Sequence, residues 1–315
     1  MSSTATPAAH RVSAGRWAQL TTWGARLAWL AVAVVGGRAI GAATASRSDP
    51  VQIVATVGAW CGWAAGAIAL AVPAVATLTA VRVIVPGALA VTAACLAFGA
   101  DAGDVLAIGI PAAVAAVLAG AAETGSTFVQ ASAYGDERRM LLRPPLGYLA
   151  ASVVAWAIWT AALLTAPLAW AASAWWLAGV TTVVVAAATW LLPRRWHQLS
   201  RRWLVAVPAG LVVHDPVVLG DTLMLPRAQV RSIGLATLGA GATDAADLTG
   251  PTPGLAVEIR LGETTTAVLA RRPGETQGRA LRLNALLVAP SRPGAVLAEA
   301  RYRGYPAAQM PPPRT

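Results

Sequence analysis

The stretch VQIVATVGAWCGWAAGAIALAV, residues 51–72, carries no charged side chain from its first residue to its last. A helix needs roughly 20 mostly apolar residues to cross the hydrocarbon core of a bilayer. Five more stretches contain at most one charged residue each and fall at residues 27–45, 83–99, 105–122, 146–167 and 171–192. We therefore predict that residues 25–193 form an α-helical integral membrane bundle of about six transmembrane helices.

The overall composition agrees with this prediction. The 315 residues are 57% hydrophobic and only 12% charged, whereas soluble domains average about 25% charged residues. The net charge of +10 would suggest nucleic acid as a partner of a soluble protein. Here, however, residues 1–203 hold 13 Arg against 6 acidic residues, while residues 204–315 hold 11 against 8. The excess flanks the apolar stretches, so we predict the lipid bilayer as partner and no nucleic acid.

The arginines also predict an orientation, because the loops on the cytoplasmic side of a membrane carry an excess of basic residues. With the N-terminus inside, only Arg38 and Arg47 fall toward the outer side. The inner side holds Arg11, Arg16, Arg26, Arg82, Arg138, Arg139, Arg143, Arg194, Arg195, Arg201 and Arg202. This prediction places Arg82 in the short turn between spans two and three, and Pro86 in the first turn of span three. The chain is then a cell-membrane protein with both termini in the cytoplasm.

The N-terminal residues allow a second interpretation. We predict that residues 1–24 are a disordered cytoplasmic leader and that the first span is retained. Ala43, Thr44 and Ala45 resemble the small-residue cleavage site of a signal peptide. Cleavage there would leave five spans, but the region before the apolar core is long and Arg38 interrupts the approach to the cut.

The pattern changes after the sixth apolar stretch. A basic juxtamembrane linker at residues 194–203 is followed by short apolar runs separated by turns, which predict a small β-rich domain over residues 204–304. Apolar and polar residues alternate over 255–261, and we predict that this strand forms a hairpin with 264–269 across Gly262 and Glu263. Residues 239–254 are predicted as a loop, and 281–288 as a strand. Ser291 is a suitable cap for a final helix, and 305–315 form a Pro-rich disordered tail.

Several phrases of this domain resemble bacterial pleckstrin-homology-like (PH-like) domains. They are VPAGLVVHD, LPRAQVRSIG, GLAVEIRL and NALLVAPSRPGAVLAEARYRG, which together span about residues 203–304. The whole chain also resembles a group of actinobacterial multi-pass membrane proteins of unknown function. FVQASAYGDERRMLLRPP at 128–145 and RRWLVAVPAGLVVHDPVVL at 201–219 carry that likeness. The resemblance implies a PH-like domain closed by a helix and supplies no substrate or catalytic residue.

Motifs that would carry chemistry are scarce. No phosphate-binding P-loop, zinc-protease helix or nucleophile elbow is present in the sequence. Cys61 and Cys95 lack metal-ligand spacing and are interpreted as small apolar side chains. His214 is interpreted as the end of a strand before the turn at Pro216. Neither a metal nor a cofactor is predicted, although Asp101 and Asp104 lie close together and Asp104 is expected to cap span four.

The arginines of the predicted inner side are the best candidates for a binding site. A basic group near an anionic leaflet contributes about 1 kcal/mol to membrane binding. We predict a cationic collar that binds lipid headgroups or a protein partner. Its residues are Arg138, Arg139, Arg143, Arg194, Arg195, Arg201 and Arg202.

Three functions are compatible with this sequence. The favoured hypothesis is a non-enzymatic membrane scaffold or adaptor whose cytoplasmic PH-like domain binds a protein partner or anionic lipid headgroups. The second is a transporter or lipid-handling protein in which Pro86 and Pro111 break spans around a site at the middle of the membrane. The third is a membrane enzyme of envelope lipid metabolism that uses Asp101, Asp104 or His197.

Overall fold

A computed structural model of the protein describes residues 7–237, 245–271 and 278–306. The chain forms two compact units. The first, called the helical unit, comprises residues 18–128 and 150–197. The second, called the β unit, comprises the described residues within the ranges 1–17, 129–149 and 198–315. The β unit therefore takes in the segment between the fourth and fifth apolar stretches, which the sequence had not assigned to it.

Six helical stretches of the described residues are long and apolar enough to cross a membrane, as predicted. They are Gly15–Thr44, Asp49–Ala71, Val75–Ala97, Ala102–Gly120, Leu146–Ala171 and Trp175–Ser200. The helices are α1 (Pro7–Thr44), α2 (Asp49–Ala71), α3 (Val75–Ile84), α4 (Gly87–Ala97), α5 (Ala102–Gly120), α6 (Ala122–Gln130), α7 (Leu146–Ala171), α8 (Trp175–Ser200) and α9 (Pro293–Tyr302). Helix α1 begins at Pro7, inside the segment 1–24 for which the sequence predicted disorder; residues 1–6 lie outside the described chain.

The third apolar stretch differs from its prediction. It begins at Val75 rather than at residue 83, because the turn after α2 lies at residues 72–74. Arg82 is consequently inside α3, and Pro86 separates α3 from α4 in the middle of the stretch. Proline lacks an N–H and its ring clashes with the carbonyl four residues earlier, here that of Arg82. Pro111, by contrast, lies inside a continuous α5.

Close contact between α1 and α2 shows how the helical unit is held together. The indole N–H of Trp29 donates to the carbonyl of Trp63 at 3.0 Å, and the indole of Trp63 donates to the carbonyl of Trp29 at 2.9 Å. A Cβ on Gly66 would lie 2.5 Å from the ring of Trp29. Small residues allow such close approach, and indole hydrogen bonds then link the two helices. Arg26 adds a hydrogen bond to the carbonyl of Leu70 at the end of α2.

The described residues of the β unit form two four-stranded sheets. The first has the order β1-β2-β3-β4, and all its neighbours are antiparallel. Its strands are β1 (Arg138–Leu141), β2 (Trp203–Val207), β3 (Gly210–His214) and β4 (Leu223–Pro226). The second sheet has the order β5-β7-β8-β6, with strands β5 (Val230–Thr237), β6 (Ala246–Asp247), β7 (Leu255–Val268) and β8 (Ala280–Val288). Strand β1 thus comes from the segment between α6 and α7.

Two predictions for the second sheet are wrong. The expected hairpin across Gly262 and Glu263 is one continuous strand, β7, because β8 pairs with both halves of it. The pairing of β7 with β8 changes register between Arg260 and Thr265. Such a shift is typical of a β-bulge, in which one strand has more residues than its partner. The predicted loop 239–254 contains β6, which pairs in parallel with β8, while its residues 239–244 lie outside the described part of the chain.

The two sheets and α9 enclose one apolar core. Isolated bridges join the sheets at two corners, between Leu142 and Pro290 and between Leu219 and Leu269. Helix α9 contributes its buried face as predicted, through Val296, Leu297 and Ala300. Ser291 does not cap this helix; its hydroxyl lies 3.1 Å from the carbonyl of Leu141, and Arg292 occupies the cap position. Residues 307–315 of the predicted tail lie outside the described chain.

Candidate functional site: an arginine and aromatic cluster in the β unit

The predicted collar contains one residue that is not at any surface. The side chain of Arg202 is fully buried, and its guanidinium makes two hydrogen bonds, of 2.8 and 2.7 Å, to the carboxylate of Asp215. It also donates to the carbonyls of Arg143 and Thr249. Each of these partners lies in a different segment of the β unit, so Arg202 joins these segments and is not available to a ligand.

Arg143 also makes its hydrogen bonds inside the β unit. Its guanidinium donates to the carbonyl of Leu255, and its backbone N–H donates to the carbonyl of Ala289 at 2.8 Å. Burial lowers the pKa of the Arg143 guanidinium from its ordinary value, because an apolar environment disfavours the charged form. The Nε atom is buried without a hydrogen-bond partner. Arg143 is therefore mainly a link between the segment 129–149 and the second sheet.

A second group of collar residues does form a cluster. The guanidinium of Arg139 lies over the ring of Trp203 at 5.4 Å, and the ring of Trp203 stacks on that of His214 at 5.1 Å. Trp203 and His214 are directly opposite each other on β2 and β3, which explains the stacking. The guanidinium of exposed Arg201 lies 3.4 Å from Nε2 of His214. We call Arg139, Trp203, His214 and Arg201 the Arg-aromatic cluster.

Neighbouring polar groups complete this cluster. Nδ1 of His214 lies 3.0 Å from the hydroxyl of Thr222. His214 and Thr222 line a small cleft together with residues 215, 216 and 219–221. Glu137 pairs with Arg139 at 2.8 Å. Arg201, by contrast, has no carboxylate within ion-pair distance among the residues that the structure describes.

The surroundings of the cluster lower the pKa of Glu137 and of His214, which favours the charged form of the carboxyl group and the neutral form of the imidazole. Hydrogen bonding from Arg139 is the main reason that the pKa of Glu137 lies below its ordinary value. The pKa of His214 is also lowered, first by burial and then by the positive charge of Arg201, against a smaller opposing effect of Asp215. At neutral pH the cluster therefore presents guanidinium charges and a neutral imidazole.

The structure places the seven predicted arginines in different local surroundings. Arg138 and Arg139 lie on β1, Arg143 and Arg202 serve the interior of the β unit, and Arg201 is exposed beside His214. Arg194 and Arg195 belong to α8 of the helical unit, where the guanidinium of Arg194 lies 5.6 Å from the ring of Trp190. Of the predicted collar, Arg139 lies over the ring of Trp203 and Arg201 lies beside His214. Sequence reasoning missed Trp203 and His214, whose role depends on strand register.

The residues of the enzyme hypothesis are kept apart within the helical unit. Asp101, not Asp104, caps α5, accepting a hydrogen bond of 2.7 Å from the N–H of Gly103. His197 contacts Thr79 near the beginning of the stretch Val75–Ala97, and Asp101 follows the end of that stretch. About 20 helical residues, or roughly 30 Å of rise, therefore lie between the two groups. Asp101 and His197 therefore lie near opposite ends of the stretch Val75–Ala97.

No group of three or more potential metal ligands occurs in the described part of the chain. The carboxylate of Asp215, the residue that follows His214, is held by Arg202. The arrangement is suited to holding an anion or an acidic group, because guanidinium and hydroxyl donors converge beside aromatic rings. Comparison of the chain with protein-family models, with curated proteins and with solved structures finds no match.

Proposed function

We propose that the chain is a multi-pass membrane protein whose β unit is a PH-like module that binds anionic phospholipid headgroups and performs no catalysis. The observation that carries this proposal is the Arg-aromatic cluster, in which Arg201 is exposed and has no carboxylate partner among the described residues. A lipid phosphate would supply the missing negative charge.

The surface of the helical unit supports membrane insertion. Large apolar side chains stand exposed along all six long helices, among them Val34, Ile68, Leu106, Val183 and Trp176. Soluble monomers rarely expose contiguous apolar patches of more than a few hundred Å². In a bilayer the same side chains face lipid. The arginines at the α2–α3 end of the unit would then face the cytoplasm.

The order of elements supports a PH-like fold. The first sheet is antiparallel, and the second is antiparallel except for its edge strand β6. Both enclose one core, which α9 closes after the last strand. In this interpretation β1 is an additional strand, supplied by the segment between α6 and α7. Only two residues separate the end of α8 at Ser200 from the start of β2 at Trp203. The β unit thus follows directly after the last apolar helix in the chain.

Photo-crosslinking in native membranes tests the proposal. Exposed Asp221 lies in the cleft beside His214, so a photoreactive residue there should yield anionic-lipid adducts. Adduct yield should fall several-fold when Arg201→Gln and Arg139→Gln are added, since each guanidinium loses a charge-assisted hydrogen bond. The matched control is the same photoreactive residue at Glu263, another exposed acidic position of the β unit.

The outcomes separate the alternatives. Lipid adducts that require Arg201 support the proposal. A protein adduct at position 221 in place of lipid would show an adaptor that binds a protein partner. Equal lipid labelling at positions 221 and 263, or labelling unaffected by the arginine substitutions, would refute the proposed site.

One observation favours a second candidate function, a transporter or lipid-handling protein. The stretch Val75–Ala97 is interrupted at Pro86, one turn after Arg82. Interrupted spans with a charged residue near the break are typical of membrane substrate sites. This candidate predicts that Pro86→Ala alters the flux of a solute or lipid while the protein remains folded. Unchanged lipid composition and solute uptake in cells lacking the protein would argue against it.

A further inference from the structure

Both ring nitrogens of His214 contact polar groups of the β unit. Nδ1 lies 3.0 Å from the hydroxyl of Thr222, and Nε2 lies 3.4 Å from Nη2 of Arg201. A guanidinium group only donates hydrogen bonds, so Nε2 is the acceptor in this contact and carries no proton. The proton of the neutral imidazole is therefore on Nδ1, which donates to Thr222. The hydrogen bond that holds Arg201 beside the ring consequently requires a neutral ring.

A second proton on the ring would change this contact. Nε2–H cannot accept from Arg201, and the imidazolium would face the guanidinium as a like charge, which disfavours protonation. The pKa of His214 is lowered accordingly, first by burial of the ring and then by the charge of Arg201. The other charged groups around the ring are Arg139, which pairs with Glu137, Asp215, which pairs with Arg202, and exposed Asp221 in the same cleft.

The stacked ring of Trp203 fixes the direction of this imidazole. The two rings are 5.1 Å apart and inclined by only 25°, on neighbouring strands whose register places them opposite each other. Stacking and the hydrogen bond to Thr222 both oppose rotation of the ring, so Nε2 stays beside Arg201 in either protonation state. An aromatic face also attracts a cation. Trp203 is therefore a favourable neighbour of the protonated ring as well.

We propose that His214 is a proton-dependent ligand of the anionic headgroup: its ring takes up one proton from solvent when the headgroup binds beside Arg201, and Nε2–H then donates to a phosphate oxygen. This inference rests on the proposed function of the β unit. The phosphate supplies an acceptor for Nε2–H and a negative charge between two cations, which favours the charged ring. Arg201 holds one oxygen and His214 a second, each through a charge-assisted hydrogen bond.

The pH dependence follows from the difference between the free and the occupied site. At a pH above both pKa values the ring is neutral in either state, and this proton does not affect binding. Headgroup affinity rises as the pH falls through the pKa of the occupied site, and it becomes constant below the lower pKa of the free site. A separation of one pH unit between the two values corresponds to about tenfold tighter binding at the acid end.

Histidine NMR of the full chain tests this coupling. The sequence contains only two other histidines, His10 and His197, so a carbon-isotope label on the imidazole rings gives a simple spectrum, and His214→Gln assigns the signal of interest. In nanodiscs of phosphatidylcholine, His214 should titrate below its ordinary value. Phosphatidylglycerol in the discs should raise this pKa by about one pH unit. The rise should be less than half as large in Arg201→Gln, which experiences the same disc charge, and unchanged in the control Arg231→Gln, an exposed arginine outside the cluster.

Lipid crosslinking from position 221 separates this inference from the proposed function. The yield of phosphatidylglycerol adducts should be several-fold higher at about pH 5 than at about pH 8. His214→Gln should remove this pH dependence and retain the adducts that require Arg201. Adducts that require Arg201 but are independent of pH, or a pKa of His214 that phosphatidylglycerol leaves unchanged, overturn the inference and leave the proposed function standing. An equal rise of the pKa in Arg201→Gln assigns the effect to the charge of the disc and also overturns the inference. Absence of Arg201-dependent adducts at either pH overturns both.

Discussion

Replacement of Arg202 by leucine should destabilise the β unit more than any other single arginine substitution in it. The substitution removes both hydrogen bonds to Asp215, which is only 2% exposed, and leaves the carbonyls of Arg143 and Thr249 without this donor. Loss of one partner of a buried ion pair costs about 3–5 kcal/mol. The N–H groups of Val217 and Val218 still reach the carboxylate, at 3.1 and 3.3 Å. We therefore expect about 3 kcal/mol, the lower end of that range.

Hydrogen exchange of the full chain in detergent measures this cost strand by strand. A loss of 3 kcal/mol corresponds to an exchange rate more than about 100-fold faster in β2 and β3, if these strands exchange through unfolding of the unit. Arg201→Leu is the control, because Arg201 is adjacent in sequence but exposed. The double variant Arg202→Leu with Asp215→Leu should be more stable than Arg202→Leu alone, since no charge remains buried. A cost below about 1 kcal/mol for Arg202→Leu would refute the interpretation of Arg202 as a structural link.

Three further predictions follow from the β unit. Replacing Arg138–Leu141 by a Gly/Ser segment should expose the edge of β2 and accelerate hydrogen exchange there, since β1 supplies its outer partner; unchanged exchange would show that β1 is dispensable. Glu137→Gln should increase anionic-lipid crosslinking from position 221, because the carboxylate that now occupies Arg139 is removed; a decrease would contradict the proposed cluster. The lowered pKa of His214 means that its contribution to stability is complete above the unfolded value, about 6.5, and is lost as pH falls through the lower folded value. Thermal unfolding at pH 7.5 and pH 5 should therefore show a larger acid destabilisation in wild-type protein than in His214→Gln, and equal losses would rule out this role.

The helical part of the fold could be predicted because it depends on one local property. An apolar stretch of about 20 residues is recognised without knowledge of its neighbours. The boundaries of the third stretch were missed for a related reason. In the sequence Arg82 indicates a polar turn, but a single charged residue can lie inside an apolar helix. The actual turn, at residues 72–74, contains no charge and only Pro73 as a signal.

The β unit shows where local patterns fail. Strand β1 has four residues, two of them arginines, and its partner β2 lies more than sixty residues later in the chain. No short-range pattern indicates such a pairing. The same reason applies to Arg202, whose basic neighbours made it resemble an exposed linker residue. In the folded chain its guanidinium is held by Asp215 and by the carbonyls of Arg143 and Thr249, which come from three separate segments.

A carboxylate partner distinguishes the buried guanidinium groups of Arg202 and Arg303 from those of Arg201 and Arg82. Asp215 neutralises Arg202, and Glu299 together with Asp136 neutralises Arg303, whose side chain is 6% exposed. Each of these buried guanidinium groups has an acidic partner, as burial requires. Arg201 and Arg82 have none among the described residues. Water can solvate exposed Arg201 at little cost, so its ligand is optional. Arg82, in contrast, lies within an apolar helical stretch, where solvation by water is restricted. A bound external anion should therefore stabilise the protein more at Arg82 than at Arg201. The loss of bound anionic lipid on Arg82→Gln, compared with the loss on Arg201→Gln, measures this difference.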